Sequence, residues 1–537
     1  MKYIFFLISA ICLCIPNLYA VVAKPGFIDV RQPDGTVITI RMEGGPKDHN
    51  IYNAEDQIMR VDERGYYVLA DDDFKQKVSE KRDTRLKAKR NANGLMSNPF
   101  PSTGKHKGLV ILVEFPDVRF TLDNPEEYYD KMLNGDHFTE YQSTGSAHQY
   151  FLENSNGQFD ISFDIVGPIM LQKESAYYGE NDYWGEDKRP YEMIVDACDV
   201  LYNENLVDFT QYDKNGDGEI DNVYVFYAGY GEAEGGGPNT IWHHSWEMTD
   251  AGVKKFYDNL KLNHYACSNE LQYYSDNKLM PDGIGTFCHE FCHVMGLPDF
   301  YSTVGGGAFT PENWTLLDSG SYNNMSRTPP YLSAFERYAF GWLKPIDIKT
   351  VENICLQPIG DSNEAYIIKT DNSNEYFILE NRQQKGWDTY LPHHGMLVWH
   401  IDFNQRVWDN NTVNVNPRHQ YIDLVEADGI PSNWTRDGDS FPGLYEKTEL
   451  SPTTNPALIS WSGKPINVYI SNINEDHNGN INFIARDHET STGLDEIECS
   501  EENITRYFNL HGIEIKNPVK GQILIEKKGN SIRKVII

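Results

Sequence analysis

His289 and His293 stand four residues apart in "TFCHEFCHVMGLPDFY" (Thr286 to Tyr301). Glu290 sits beside the first, Gly296 three residues past the second, and Asp299 three further on. On a helix, residues four apart share a face, so both imidazoles aim at one point, as two ligands of a tetrahedral Zn²⁺ would. Glu290 lies about 100° round the helix from His289, beside such an ion, where it can take a proton from water. Gly296 can end the helix in the left-handed conformation that Cβ-bearing residues resist. The chain then reverses through Leu297-Pro298 and returns Asp299 as a third, carboxylate ligand, leaving a fourth position open for the water that hydrolysis needs. The plainer reading is a core helix carrying two satisfied histidines. His-Glu-x-x-His alone arises by chance in roughly a few per cent of such chains, and requiring Gly296 and Asp299 as well lowers that to roughly one in ten thousand. Metal chemistry is therefore the expectation. Cys292 points away from the histidine face and reads as a core thiol, and a Cys288–Cys292 bridge within one helical turn would be strained.

A second oxygen-rich stretch is "DKNGDGEID". Asp213, Asn215, Asp217, Glu219 and Asp221, with Gly218 at the sharp turn, match the first nine positions of a calcium loop. The twelfth position is Tyr224 rather than Glu, and a strand follows instead of a helix. The expectation is a structural Ca²⁺ without bidentate closure; an Asp/Asn/Gly surface turn is the alternative.

These residues need a large scaffold. At 537 residues the chain exceeds one domain, and about 150 residues per domain gives three or four. A formal charge of -32 repels phosphate backbones and disfavours nucleic acid. "MKYIFFLISAICLCIPNLYA" reads as a cleavable secretory signal, cut after Ala20 or Ala23. No later run approaches the ~18 apolar residues of a membrane span. "GFIDVRQPDGTVITI" reads as a hairpin turning at Pro33-Asp34-Gly35. Eight basic residues between Lys75 and Arg90 form either a solvated helix face or an exposed connector for a trypsin-like protease. "GLVILVEF" and "NVYVFYAGY" read as buried strands, and "GSAHQYFLENSNG" and "PYEMIVDACDVLYNEN" as helices. The acidic, glycine-rich "GYGEAEGGGPN" resembles no phosphate cradle and is expected to form a flexible rim loop. After Gly341 alternating apolar segments such as "EYFILENR" and "GMLVWHID" predict an antiparallel β domain running to about Asp487. The expected organisation is a signal over 1–23, a pro-segment over 24–104, a catalytic unit over 105–343, a β-sandwich-like domain over 344–487 and a small β domain over 488–537.

With these motifs in view, residues from about Gly108 to Arg486 resemble the secreted zinc metallopeptidases related to immune inhibitor A. The resemblance rests on "GSAHQYFLENSNGQFD", "IWHHSWEM", "YACSNEL", "GIGTFCHEFCHVMGLPDFY", "WTLLDSGSYNN", "RTPPYLSAFERYAFGWLKP" and "NEYFILENRQQKGWD". It implies an α+β, metzincin-like zinc endopeptidase, exported as a preproprotein and acting on protein or peptide substrates. His289 and His293 become zinc ligands, Glu290 the general base, and Asp299 the carboxylate ligand. "WTLLDSGSYNN" takes the place of a methionine turn, with Leu317 where Met is expected; such a swap costs under about 1.5 kcal/mol. Tyr322 becomes a candidate for steadying the tetrahedral oxyanion. The tail from about Ser491 resembles type IX secretion sorting domains, which implies contact with secretion machinery. A monomer is expected. No cysteine lies between residues 24 and 197, which excludes cysteine-type latency and leaves an acid such as Asp62 or Glu63 to cover the metal. The rival reading is a catalytically silent adhesin or glycan binder on the same scaffold. If the tail is a sorting signal, mass spectrometry of exported protein will find it removed; an intact tail on secreted material would overturn that reading.

Overall fold

The structure, a computed structural model, describes residues 21–46, 48–62, 64–71, 74–75, 95, 100–273, 279–304, 309–348, 352–486, 505–508, 515, 523–528 and 531–536. The expected signal up to residue 20, residues 76–94 of the basic stretch, Glu63, and most of the chain beyond Arg486 lie outside the described residues.

The N-terminal unit is a five-stranded antiparallel meander: β1 (Phe27–Arg31), β2 (Val37–Gly45), β3 (Asp48–Asn53), β4 (Ile58–Val61) and β5 (Tyr67–Leu69). The first turn closes as its residues require. Gln32 N–H donates to the Thr36 carbonyl at 2.7 Å, and the Asp34 carboxylate accepts the Thr36 N–H. Ile28 and Val30 of β1, with Ile40 and Met42 of β2, turn to one face and pack against Ala233 and Trp242.

The next layer is a mixed sheet of β6 (Gly104–Glu114), β7 (Phe159–Met170), β8 (Val223–Tyr230), β9 (His244–Glu247), β12 (His264–Tyr273) and β13 (Leu279–Pro281); β10 (Lys255–Tyr257) and β11 (Leu260–Leu262) form a separate hairpin. Its order is β13-β12-β8-β6-β7, with β9 added on β12, and the β6–β7, β6–β8 and β8–β12 pairs are parallel. Parallel strands are covered on both faces, and β6 obeys: Val110 and Leu112 face one core, Leu109, Ile111 and Val113 the other. Helices do the covering: α1 (Pro125–Asn134), α2 (Ala147–Asn154), α3 (Pro190–Asn203) and α4 (Ile284–Val294), while α5 (Ala334–Ala339) joins the core that α4 faces. Ser146 caps α2, its Oγ accepting the Gln149 N–H at 3.2 Å. Met193, Ile194, Ala197, Cys198 and Leu201 give α3 its buried face. Phe287, Cys288, Phe291 and Cys292 give α4 its own. Cys198, Cys267, Cys288 and Cys292 are buried thiols, whereas Cys355 is disulfide-bonded.

Two further sheets follow. One has the order β14-β16-β17-β18-β19, from β14 (Ile346–Asp347), β16 (Tyr366–Lys369), β17 (Glu375–Arg382), β18 (Gly395–Asp402) and β19 (Ile422–Leu424). The other is β15-β21-β20, from β15 (Glu352–Leu356), β20 (Tyr469–Glu475) and β21 (Ile481–Arg486). All their pairs are antiparallel except the short parallel β14–β16. Ile368, Phe377, Leu379, Met396 and Val398 pack against Ile354, Leu356, Ile470 and Phe483 of the smaller sheet, which is a sandwich. The alternate residues Ile367, Ile378, Leu397, Trp399 and Ile401 point the other way, into the same core as α4 and Phe335 of α5. The boundary expected near residue 343 is therefore no seam in the packing. Consecutive apolar residues in "FIL" and "MLVW" carry the reason, since strands with both faces buried lose the alternation that marks a free-standing sheet. The tail contributes a three-stranded antiparallel sheet, β22 (Thr505–Phe508), β23 (Ile523–Lys528) and β24 (Ser531–Ile536).

A buried ion pair joins the two layers. Arg382 on β17 forks onto Asp388 at 2.6 and 2.7 Å, reaches Glu380 at 3.2 Å, and donates to the Trp314 and Tyr331 carbonyls. Removing one partner of such a group strands the others without compensation, a loss of about 3–5 kcal/mol. Arg382→Met is expected to lower the melting temperature sharply, and Arg382→Met with Asp388→Asn to recover part of it; an unchanged melt for the single variant would refute this role.

Candidate metal centre and cleft

Helix α4 is buried along its length, and its histidine face closes the gap between the mixed sheet and the chain segment 314–322. Its first turn presses on that segment. Gly285 N–H donates to the Ser326 carbonyl at 2.6 Å, and a Cβ at Gly285 would lie 2.0 Å from the Ser321 oxygen. The helix ends at Gly296, whose φ of +99° lets Leu297 N–H fold back to the Cys292 carbonyl at 3.0 Å. That reversal carries Asp299 back over the helix.

His289, His293 and Asp299 come together in full burial, their ligand atoms within 4.8 Å of one another. His289 Nδ1 donates to the Leu316 carbonyl at 2.7 Å, and His293 Nδ1 to the Leu297 carbonyl at 2.8 Å. Both Nε2 atoms then face one oxygen, Asp299 Oδ1, at 3.1 and 3.0 Å. Burial, then the neighbouring His293, pushes His289 below the usual imidazole range. A neutral ring whose Nδ1 carries the hydrogen presents a lone pair at Nε2. Two Nε2 atoms and a carboxylate oxygen gathered this closely offer three donors to a cation. The donor set, two nitrogens and one oxygen, is that of a catalytic zinc site, so the residues fit a metal.

Glu290 is fully buried beside this cluster. Its Oε1 accepts the backbone N–H of Val21 at 2.9 Å, and its Oε2 has no hydrogen-bond partner among the described residues. Burial pushes its carboxyl well above the ordinary range, the Val21 bond opposing it; that direction suits a group that takes and returns a proton. The Tyr322 hydroxyl donates to the Val22 carbonyl at 2.9 Å. Leu317 is buried in the floor and its carbonyl accepts the Phe300 N–H.

The N-terminal segment thus runs through the cleft. Trp242 Nε1 donates to the Val21 carbonyl, Ala23 N–H to Gly44, Lys24 N–H to Ala233, and Lys24 Nζ to the Tyr273 carbonyl. Glu232–Glu234, expected in a flexible rim loop, is a buried turn under this segment, because Ala233 and Gly235 abut Ala23, Ile28 and Val30. Asp62, considered as a cover for the metal, instead closes its own turn with Arg64 and Tyr66.

Among the described residues nothing supports the calcium expectation. Asp213 accepts from the Gly216, Asp217 and Gly218 amides, Asp217 Oδ1 from Glu219 N–H and Oδ2 from the Asn215 side chain, Asp221 from Lys214 N–H, and Glu219 pairs with Lys261 at 2.7 Å. The oxygens serve the loop's own turn. Among the described residues the one gathered group of three metal-type ligands is at His289.

Residues that motif reading missed complete the site. Asn411 holds Asp299 from the sandwich layer. Tyr301 stands against Asp299 and Gly45. His243, kept neutral because burial pushes it down to about 3, turns Nδ1 to Asn269 at 3.2 Å. His243 lies in "IWHHSWEM" and Tyr301 ends "TFCHEFCHVMGLPDFY", whereas Asn411 lies in no such stretch.

Residues 100–344 match the immune inhibitor A peptidase M6 catalytic domain. Immune inhibitor A of Bacillus thuringiensis subsp. alesti is 28% identical over 262 residues, 41% of this chain and 36% of that protein. The pre-pro-metalloprotease PrtV of Vibrio cholerae (strain M66-2) is 30% identical over 275 residues, 44% of this chain and 29% of that protein. The chain thus spans about a third of the length of these curated relatives. The M6 match contains every residue of the cluster. It stops short of Asn411 and starts after the segment in the cleft.

A ligand at 100 times its dissociation constant stabilises by about 2.7 kcal/mol. Exhaustive chelation is therefore expected to lower the melting temperature, and Zn²⁺ to restore it in wild type but not in His293→Ala. A melt indifferent to chelator and zinc would contradict the metal centre.

Proposed function

We propose that the protein is an exported zinc-dependent endopeptidase, drawn here in a latent form. The observation that carries this is the convergence of two Nδ1-anchored imidazoles on a single buried carboxylate, with the second carboxylate, Glu290, alongside. His289, His293 and Asp299 would hold the ion. A zinc ion so held supplies Lewis-acid activation of water and of the scissile carbonyl. Glu290 takes the proton released as water attacks and hands it to the departing amine. The Tyr322 hydroxyl would donate to the oxyanion, a reading supported by its bond to the Val22 carbonyl.

The same contacts support latency. Val21 to Lys24 are bonded through their backbone, as a substrate would be, and Val21 occupies the Glu290 oxygen that catalysis needs. Signal removal after Ala20 keeps this segment; removal after Ala23 would delete Val21 and Val22. We therefore favour Ala20, with later cleavage in the basic stretch freeing the cleft. A positioned general base contributes about 10²–10⁴-fold. Trypsin-processed wild type is expected to digest casein, with the unprocessed chain far slower and Glu290→Ala reduced at least ~100-fold at unchanged zinc content. Equal digestion by wild type and Glu290→Ala would sink the proposal.

A further inference from the structure

Asn411 belongs to the connection between β18 and β19, outside the stretch that matches the peptidase family. It is buried and sits at φ +49°, the left-handed region that asparagine tolerates better than most residues. Its side-chain Oδ1 accepts the Asp299 backbone N–H at 2.8 Å, and its Nδ2 donates to Asp299 Oδ2 at 2.6 Å. An amide side chain can accept through its oxygen and donate through its nitrogen at the same time. The two bonds hold one residue at both its backbone and its carboxylate, which leaves Oδ1 as the oxygen turned to His289 and His293. Asn411 is itself anchored: its N–H donates to the Trp408 carbonyl and its carbonyl accepts the Thr303 hydroxyl at 2.8 Å. Asn414, on the same connection, donates to the Phe300 and Ile422 carbonyls without touching a ligand.

We propose that Asn411 is a positioning residue for the metal centre, so that the sandwich layer completes the ligand set rather than serving as a detachable binding module. This rests on the metal-centre reading above. Asp299 leaves a tight reversal at Gly296, and its side chain would otherwise be free to rotate its second oxygen toward the histidines. A fixed Oδ2 removes that freedom before the ion arrives. Groups that orient metal ligands in this way typically carry 10–100-fold in metal affinity.

The test uses the full chain. Zn²⁺ affinity is measured by competition with a chromophoric chelator, and the visible spectrum of the Co²⁺-loaded protein reports ligand geometry. Asn411→Gly removes both bonds while suiting the positive φ, so folding is spared. Asn411→Asp keeps the shape but sets an oxygen against Asp299 Oδ2. Both are expected to bind Zn²⁺ about 10–100-fold more weakly and to alter the cobalt bands. Asn414→Ala is expected to melt lower with zinc affinity and cobalt bands unchanged. Wild-type affinity and spectrum in both Asn411 variants would overturn the inference, as would an Asn414→Ala protein that loses zinc equally. Wild type that takes up no metal would instead overturn the metal-centre reading itself, and the inference with it.

Discussion

The structure turns on one gathering: two imidazole nitrogens and a carboxylate oxygen meet in a dry volume within 4.8 Å of one another. Each imidazole is oriented by a backbone carbonyl, Leu316 for His289 and Leu297 for His293. Each carbonyl therefore has to be delivered by a separate piece of chain. Helix α4 must be buried on all sides, the chain must reverse at Gly296, and segment 314–322 must cross beneath. The packing of Phe287 and Phe291 against Phe163, Tyr224 and Phe226 holds the helix where those deliveries meet.

Burial at the site extends to acids that play no part in holding a metal. Glu232 is buried and Asp187 half-buried near Trp242; desolvation raises both carboxyls, with Asp187 adding to the rise of Glu232, and Glu186 and Asp182 to that of Asp187. Glu234 is raised by burial and by Asp282, and Lys24 of the N-terminal segment opposes that rise. Groups raised in this way are most favourable to the docked arrangement at low pH, and that contribution fades as pH climbs through their shifted pKa values. The N-terminal meander thus covers a surface that is less favourably buried as pH rises.

Much of the scaffold was legible beforehand because its signals are local. The Pro33-Asp34-Gly35 turn, the helices α2 and α3 and the unbroken hydrophobic run of β6 each depend on neighbours within a few residues. The calcium loop is a local signal of the same kind. Its spacing is right, yet which way a carboxylate turns depends on the amides nearest to it, and here those belong to the loop. The rim loop misled, since glycine and glutamate read as exposed until another segment lies on them.

Spacing along a helix was enough to set His289, Glu290 and His293 side by side, and a glycine three residues on was enough to turn the chain toward Asp299, because these relations span one or two helical turns. What lies across 112 residues at Asn411 and 269 at Val21 was decided by tertiary folding alone. An asparagine in a loop and a valine near the N-terminus carry no distinguishing chemistry of their own. Their meaning comes from which buried oxygen stands within 3 Å of them, and that is set only when two sheets and a helix close on one core.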